Sequence, residues 1–184
     1  MTKPLLIEIG VEELPAIPFL KELPNIEKKW LNVLEKYNLI SDFEFFYTPR
    51  RLVLWHGEFK TKQDDTTLEQ FGAPLSIAYK DGKPTNAAMG FAKKCNTSVE
   101  NLSSIQTPKG EVLYFKQEIS GKPSSQLLND MIHEFIQSLK FGKSMRWGNL
   151  QESFIRPIRS FCVMLAEELI DAKLFEVASS KEAY

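Results

Sequence analysis

Hydrophobic positions along this chain follow two periods. From Leu5 to Val11 a short apolar run punctuated by Gly10 predicts a buried strand. Pro15 suits a first helical turn, and Pro24 is expected to interrupt. After it Ile26, Trp30, Val33, Leu34 and Tyr37 recur at helical spacing, which predicts an amphipathic helix with one face on a sheet. Phe43, Phe45 and Tyr47 then read as one strand, and Arg51 to Phe59, apolar on both faces, as an interior strand beside it. Asp81-Gly82 and Pro108-Lys109-Gly110 are turn chemistry, with Val112 to Ile119 alternating as a hairpin arm after the second. Between the turns, Thr85 caps a short helix that reaches Lys94, with Lys93 and Lys94 well placed at its negative end. The strongest helical stripe is Ser124 to Lys140, built from Leu127, Leu128, Met131, Ile132, Phe135, Ile136 and Leu139. Ile158, Phe161, Val163 and Leu165, followed by Leu169 to Val177, predict a final hairpin, with a helix over Phe161 to Ile170 as the competing reading.

Strand and helix periods mix without regular βαβ alternation. The expected fold class is therefore α+β: mixed or antiparallel sheets with amphipathic helices packed on them. Joints near Gln63 to Thr67 or near Ser120 to Ser124 suggest two subdomains, drawn at residues 1–62 and 68–184.

Composition narrows the function classes. With 184 residues, 43% of them hydrophobic and 13 of them Phe, the chain can build a core. A net charge of −1 and pI near 6.2 supply no global positive field, so any contact with nucleic acid must come from local patches. Cys95 and Cys162 stand far apart without metal-ligand spacing, which makes a reduced, cytoplasmic protein the expectation, and no apolar run is long enough for a spanning helix, so no membrane partner is expected.

Most motif-like fragments fail on their chemistry. Gly142-Lys143-Ser144 resembles the end of a phosphate loop, but the position that must be glycine holds Gln137. His133-Glu134 lacks a second ligand one turn on, again at Gln137, and reads as a surface or half-buried histidine. His56, amid Leu52, Leu54 and Trp55, reads as a core histidine. No catalytic residue and no metal set can be assembled. Glu8, Glu12 and Glu13 read as acids near a helix start, favoured by its dipole, rather than as an acid/base cluster.

The placement of arginine stands out. Only five of the 23 basic residues are arginine, and they fall at Arg50, Arg51, Arg146, Arg156 and Arg159. From Lys140 to Arg159, five basic residues including Lys143 face one acid, Glu152, with Phe141, Trp147 and Phe154 interleaved. Guanidinium forks suit phosphate and aromatics can stack on unpaired bases, so Lys140, Lys143, Arg146, Arg156, Arg159, Arg50 and Arg51 are the RNA-binding candidates. The competing reading has the arginines in ion pairs with Glu8, Glu12 and Glu13, partly buried, and Trp147 and Phe154 in the core.

Several of these segments also carry a resemblance. Leu5 to Ala16, Thr48-Pro49-Arg50-Arg51-Leu52, Gly82 to Ala92, Lys143 to Gly148 and Phe154-Ile155-Arg156-Pro157 occur in the order found in the β subunit of the bacterial α2β2 glycyl-tRNA synthetase. Arg159-Ser160-Phe161 departs from it, standing where that family has an aromatic, usually Trp. The chain also ends before the family's Thr-Arg-Gly-His-Arg-Phe type segment and its HD-like and anticodon-binding parts, so the resemblance implies an amino-terminal fragment.

In that family the α subunit binds ATP and glycine and performs adenylation, and β supports tRNA recognition and assembly. The resemblance thus implies a segment without cofactors whose partners are the α subunit and tRNA(Gly), inactive alone and serving aminoacylation in the holoenzyme. The alternative is a scaffold at the subunit interface that never touches tRNA. A hydrolase acting on mischarged tRNA has the least support, since no nucleophile can be found.

Overall fold

The computed structural model describes residues 1–80, 82–108 and 110–182. Along the chain run β1 (Thr2–Val11), α1 (Ala16–Lys36), β2 (Glu44–Thr48), β3 (Arg51–Lys60), β4 (Thr66–Pro74), α2 (Leu75–Ala78), β5 (Tyr79–Lys80), β6 (Lys83–Pro84), α3 (Asn86–Lys94), β7 (Ser103–Thr107), β8 (Gly110–Ile119), α4 (Ser124–Ser138), β9 (Ile158–Leu165), β10 (Glu168–Leu169), β11 (Lys173–Leu174) and β12 (Val177–Ala178). Every strand pairing is antiparallel, and the class is α+β, as the mixed periods predict.

The chain divides into two units, residues 1–64 with 122–184, and residues 65–121. Both breaks fall in the polar joints visible in the sequence. The division nevertheless corrects the reading of 1–62 and 68–184, because 122–184 returns to the first unit. The reason is non-local: β9 pairs with β1 along Leu5↔Leu165, Ile7↔Val163 and Ile9↔Phe161.

In the larger unit the five strands stand in the order β10-β9-β1-β3-β2. Leu5, Ile7, Ile9, Leu52, Leu54, Phe161 and Val163 share one face and are buried against Trp30, Leu34, Phe135 and Met131 of α1 and α4. Burial of such side chains is worth about 1.5–3 kcal/mol each and is the principal term holding the layers together.

His56 is fully buried in this core. It accepts the Trp30 indole N–H at 2.9 Å through Nε2 and meets Ser41 Oγ at 2.9 Å through Nδ1. Burial lowers its pKa to about 4, against a smaller opposing effect of a hydrogen bond with the Asp42 backbone, so the ring is neutral at pH 7. His133, half-buried, meets the Lys173 carbonyl at 2.6 Å.

Pro24 does not interrupt α1, which runs through it. Pro24 and Leu20 both lie on the exposed side, so the carbonyl deprived of a helical donor can be hydrated. Residues 161–170 form β9 and a turn into β10 rather than a helix, and residues 173–178 close a second small hairpin.

In the smaller unit a three-stranded sheet, β4-β8-β7, packs α3 through Phe91, Leu113 and Ala88. Thr85 caps α3 by accepting the Ala87 N–H at 3.3 Å, and Lys93 and Lys94 occupy its last turn. Asp81 and Lys109, members of the two turns expected here, lie outside the described residues.

Candidate functional site

The pairing of β1 with both β3 and β9 draws distant segments to one end of the larger sheet. Val11 N–H donates to the Arg50 carbonyl at 2.9 Å, Leu14 N–H to Pro49 at 2.7 Å and Glu12 N–H to Pro157 at 3.0 Å. Residues 5–16, 48–52 and 154–157 therefore form one backbone-locked corner. Met145 and Phe154 exchange hydrogen bonds of 2.8 and 3.1 Å, which adds residues 145–148 to it.

Two glycines are demanded by this geometry. At Gly10 a Cβ would collide with the Ser160 hydroxyl of β9, so any larger residue forces that buried side chain to move. Gly148 sits at φ +58° with open space around it, so it is required by the turn and not by a neighbour.

The arginines split by partner. Arg159 pairs with Glu12, Arg50 with Glu13 at 3.4 Å and Arg51 with Glu8 at 3.4 Å. Arg156 donates Nε to the Glu13 carbonyl at 3.1 Å and a terminal nitrogen to the Ile155 carbonyl at 3.3 Å. Arg50 and Arg159 with Glu12 and Glu13 line a cleft of about 510 Å³ beside Gly10 and Ser160, where opposite charges balance.

The expected partial burial does not hold for all of them. Glu8 is 16% exposed, but Glu13 and Arg50 are 70% and 74% exposed, because the corner lies at a sheet end and not under a helix. Such exposed pairs contribute no more than about 1 kcal/mol each. The helix-dipole reading of the acids is corrected as well. Glu8 lies in β1, Glu12 and Glu13 precede the start of α1, and the first turn of α1 carries no acid.

Lys143 and Arg146 behave differently. Both are exposed in the loop 139–155, and neither has an ion pair among the described residues. This loop and the end of α4 border a cleft of about 520 Å³ floored by Phe141, Phe154 and Phe175. Lys140 has a structural task there. Its backbone N–H donates to Glu22 at 2.8 Å, and its ammonium reaches the Gln137 carbonyl at 3.3 Å.

Glu22 is a buried charge that belongs to no motif in the sequence. Burial alone would raise its pKa, but hydrogen bonds from Lys29, the Lys140 backbone and Asn25 outweigh it and hold the carboxyl below its ordinary value. Lys29 also donates to the Ser138 carbonyl at 2.5 Å, so the pair ties α1 to the end of α4. The signal was present: Phe19, Glu22, Ile26, Trp30 and Val33 fall on one stripe, and a carboxylate in an apolar stripe needs partners.

The aromatics of the basic segment face inward. Trp147 stacks on Phe175 with centroids 5.1 Å apart, and Phe141 and Phe154 are buried. Their packing leaves little open ring surface for a base.

Known proteins match almost the whole chain, this corner included. The family model described as glycyl-tRNA synthetase beta subunit matches residues 5–184. The chain belongs to this family. The glycine–tRNA ligase beta subunit of Syntrophus aciditrophicus is 36% identical over 181 residues, 97% of this chain and 26% of the relative. Those of Vibrio parahaemolyticus (34% over 183 residues, 98% and 27%) and a Thermotoga species (34% over 181 residues, 97% and 26%) are similarly related. The chain thus spans about a quarter of the length of the curated relatives it matches. Four of the five family-like segments meet in the larger unit, and the fifth, 82–92, supplies α3 in the smaller.

Proposed function

We propose that this chain is a non-catalytic part of a glycine–tRNA ligase, supporting tRNA binding and α–β assembly while the α subunit handles glycine and ATP. One observation supports the tRNA contact: Lys143 and Arg146 are exposed cations without a carboxylate partner among the described residues, on a loop braced by the Met145–Phe154 bridge. Arg50, Arg51 and Arg159 already have carboxylates, so their role is to fix the corner that carries that loop. With the segment's aromatics packed inward, the contact is to phosphate and independent of base identity.

In the full α–β enzyme, Lys143→Ala and Arg146→Ala should each weaken tRNA binding by about 1 kcal/mol and leave tRNA-independent glycine activation intact. Unchanged tRNA affinity in both folded variants would instead favour a scaffold at the subunit interface.

A further inference from the structure

Glu22 is the one buried carboxylate among the described residues, and it stands where the chain leaves α4. Leu139 has already turned to extended backbone (φ −68°, ψ 134°), so the Lys140 N–H finds no acceptor in the helix, and Glu22 accepts it at 2.8 Å. The Ser138 carbonyl, one of the last in the helix, equally lacks a helical donor. Lys29 supplies one at 2.5 Å while pairing with Glu22. Glu22 and Lys29 lie seven residues apart, about two turns along one face of α1, so the pair caps α4 from a neighbouring helix.

The same face of α1 holds the next residue of the loop. Phe19, about one turn before Glu22, stacks with buried Phe141 at a centroid distance of 6.5 Å. Gly142 follows at φ +74°, a left-handed turn, and Lys143 is exposed immediately after it. The start of the loop 139–155 is therefore set by two consecutive ties to α1, one apolar and one directional. Apolar packing tolerates sliding, whereas the carboxylate selects one backbone N–H. A buried ion pair is weak evidence of stabilisation, since apolar residues of the same volume often serve as well, and its best-attested use is to fix register.

We propose that Glu22, held by Lys29, is a positioning residue for tRNA binding: it fixes the base of the loop from which Lys143 and Arg146 reach phosphate. The inference rests on the phosphate contact of those two cations. A loop that is ordered only on binding loses part of its contact energy to that ordering, and one already in place does not.

The test uses the full α–β enzyme. In Glu22→Ala, hydrogen exchange read by mass spectrometry should quicken over residues 139–147 and stay unchanged in the body of α4. The same substitution should weaken tRNA affinity about threefold or more, but no more than about twofold when Lys143 and Arg146 are already alanine, because the loss passes through them. Glu22→Gln, which keeps an oxygen for the Lys140 N–H, should recover most of both. If Glu22→Ala does not assemble, Lys29→Met carries the same two expectations, since it releases the Ser138 carbonyl and one bond of Glu22. Unchanged exchange over 139–147, a rise spread through all of α4, no recovery in Glu22→Gln, or an affinity loss equal with and without Lys143 and Arg146 would overturn the proposal. Exchange needs no tRNA and reads the positioning by itself. Unchanged tRNA affinity in Lys143→Ala/Arg146→Ala would instead remove the phosphate contact, and the proposal with it, so the two failures are told apart.

Discussion

Two ionisable side chains in the larger unit sit where water does not compensate them. His56 has its pKa lowered to about 4 by burial, from an ordinary 6.5. The folded state thus holds the neutral ring, and its advantage is complete above pH 6.5 and lost as pH falls through 4, a loss of roughly 3 kcal/mol. Denaturant titrations at pH 7 and pH 4 should show that loss, and His56→Gln should flatten it; equal pH dependence in both proteins would contradict the assignment. Glu22, also depressed, contributes stability that is present above its ordinary pKa of 4.5 and disappears as pH falls through its lower folded value. Glu22→Ala should cost about 3 kcal/mol or more at pH 7, because Lys29 and the Lys140 N–H lose their acceptor in a largely buried place. A loss below 1 kcal/mol would show that water replaces the carboxylate.

Among the elements, legibility followed hydrophobic contrast. β1, α3 with its Thr85 cap, β8 and α4 were readable because apolar stripes and capping chemistry are local. β4 and β7 were not, since Thr66-Thr67-Leu68-Glu69-Gln70 and Ser103-Ser104-Ile105-Gln106-Thr107 are polar and mostly exposed, and they are strands by virtue of pairing with β8. Pro24 misled because the rule against interior proline weakens where the freed carbonyl reaches solvent. Pro24→Ala should accordingly stabilise the chain by roughly 2 kcal/mol in denaturant unfolding; destabilisation would mean that the proline sets a bend on which packing depends. The crossing of β1 and β9 at Gly10 was equally invisible, as it pairs residues 150 positions apart in sequence. Gly10→Ala should cost about 1–3 kcal/mol, and Ser160→Ala in the same chain should recover part of it. Absence of any recovery would place the strain elsewhere.

At the scale of the molecule, candidate residues were legible as types but not as partners. The five arginines and three acids could be picked out of the sequence; which would be neutralised depended on β1, β3 and β9 ending at one corner. That topology leaves Lys143 and Arg146 exposed with no side-chain hydrogen bond or ion pair among the described residues, whereas the Lys140 ammonium reaches the Gln137 carbonyl. The most direct test of the account is the salt dependence of tRNA affinity in the full α–β enzyme, since each phosphate contact changes the slope of log affinity against log salt by about 0.7–0.9. The double variant Lys143→Ala/Arg146→Ala should reduce that slope by between about 1.4 and 1.8, while Arg159→Ala, whose guanidinium already faces Glu12, should leave it unchanged. An unaltered slope in the folded double variant, or a reduced slope for Arg159→Ala, would contradict the account.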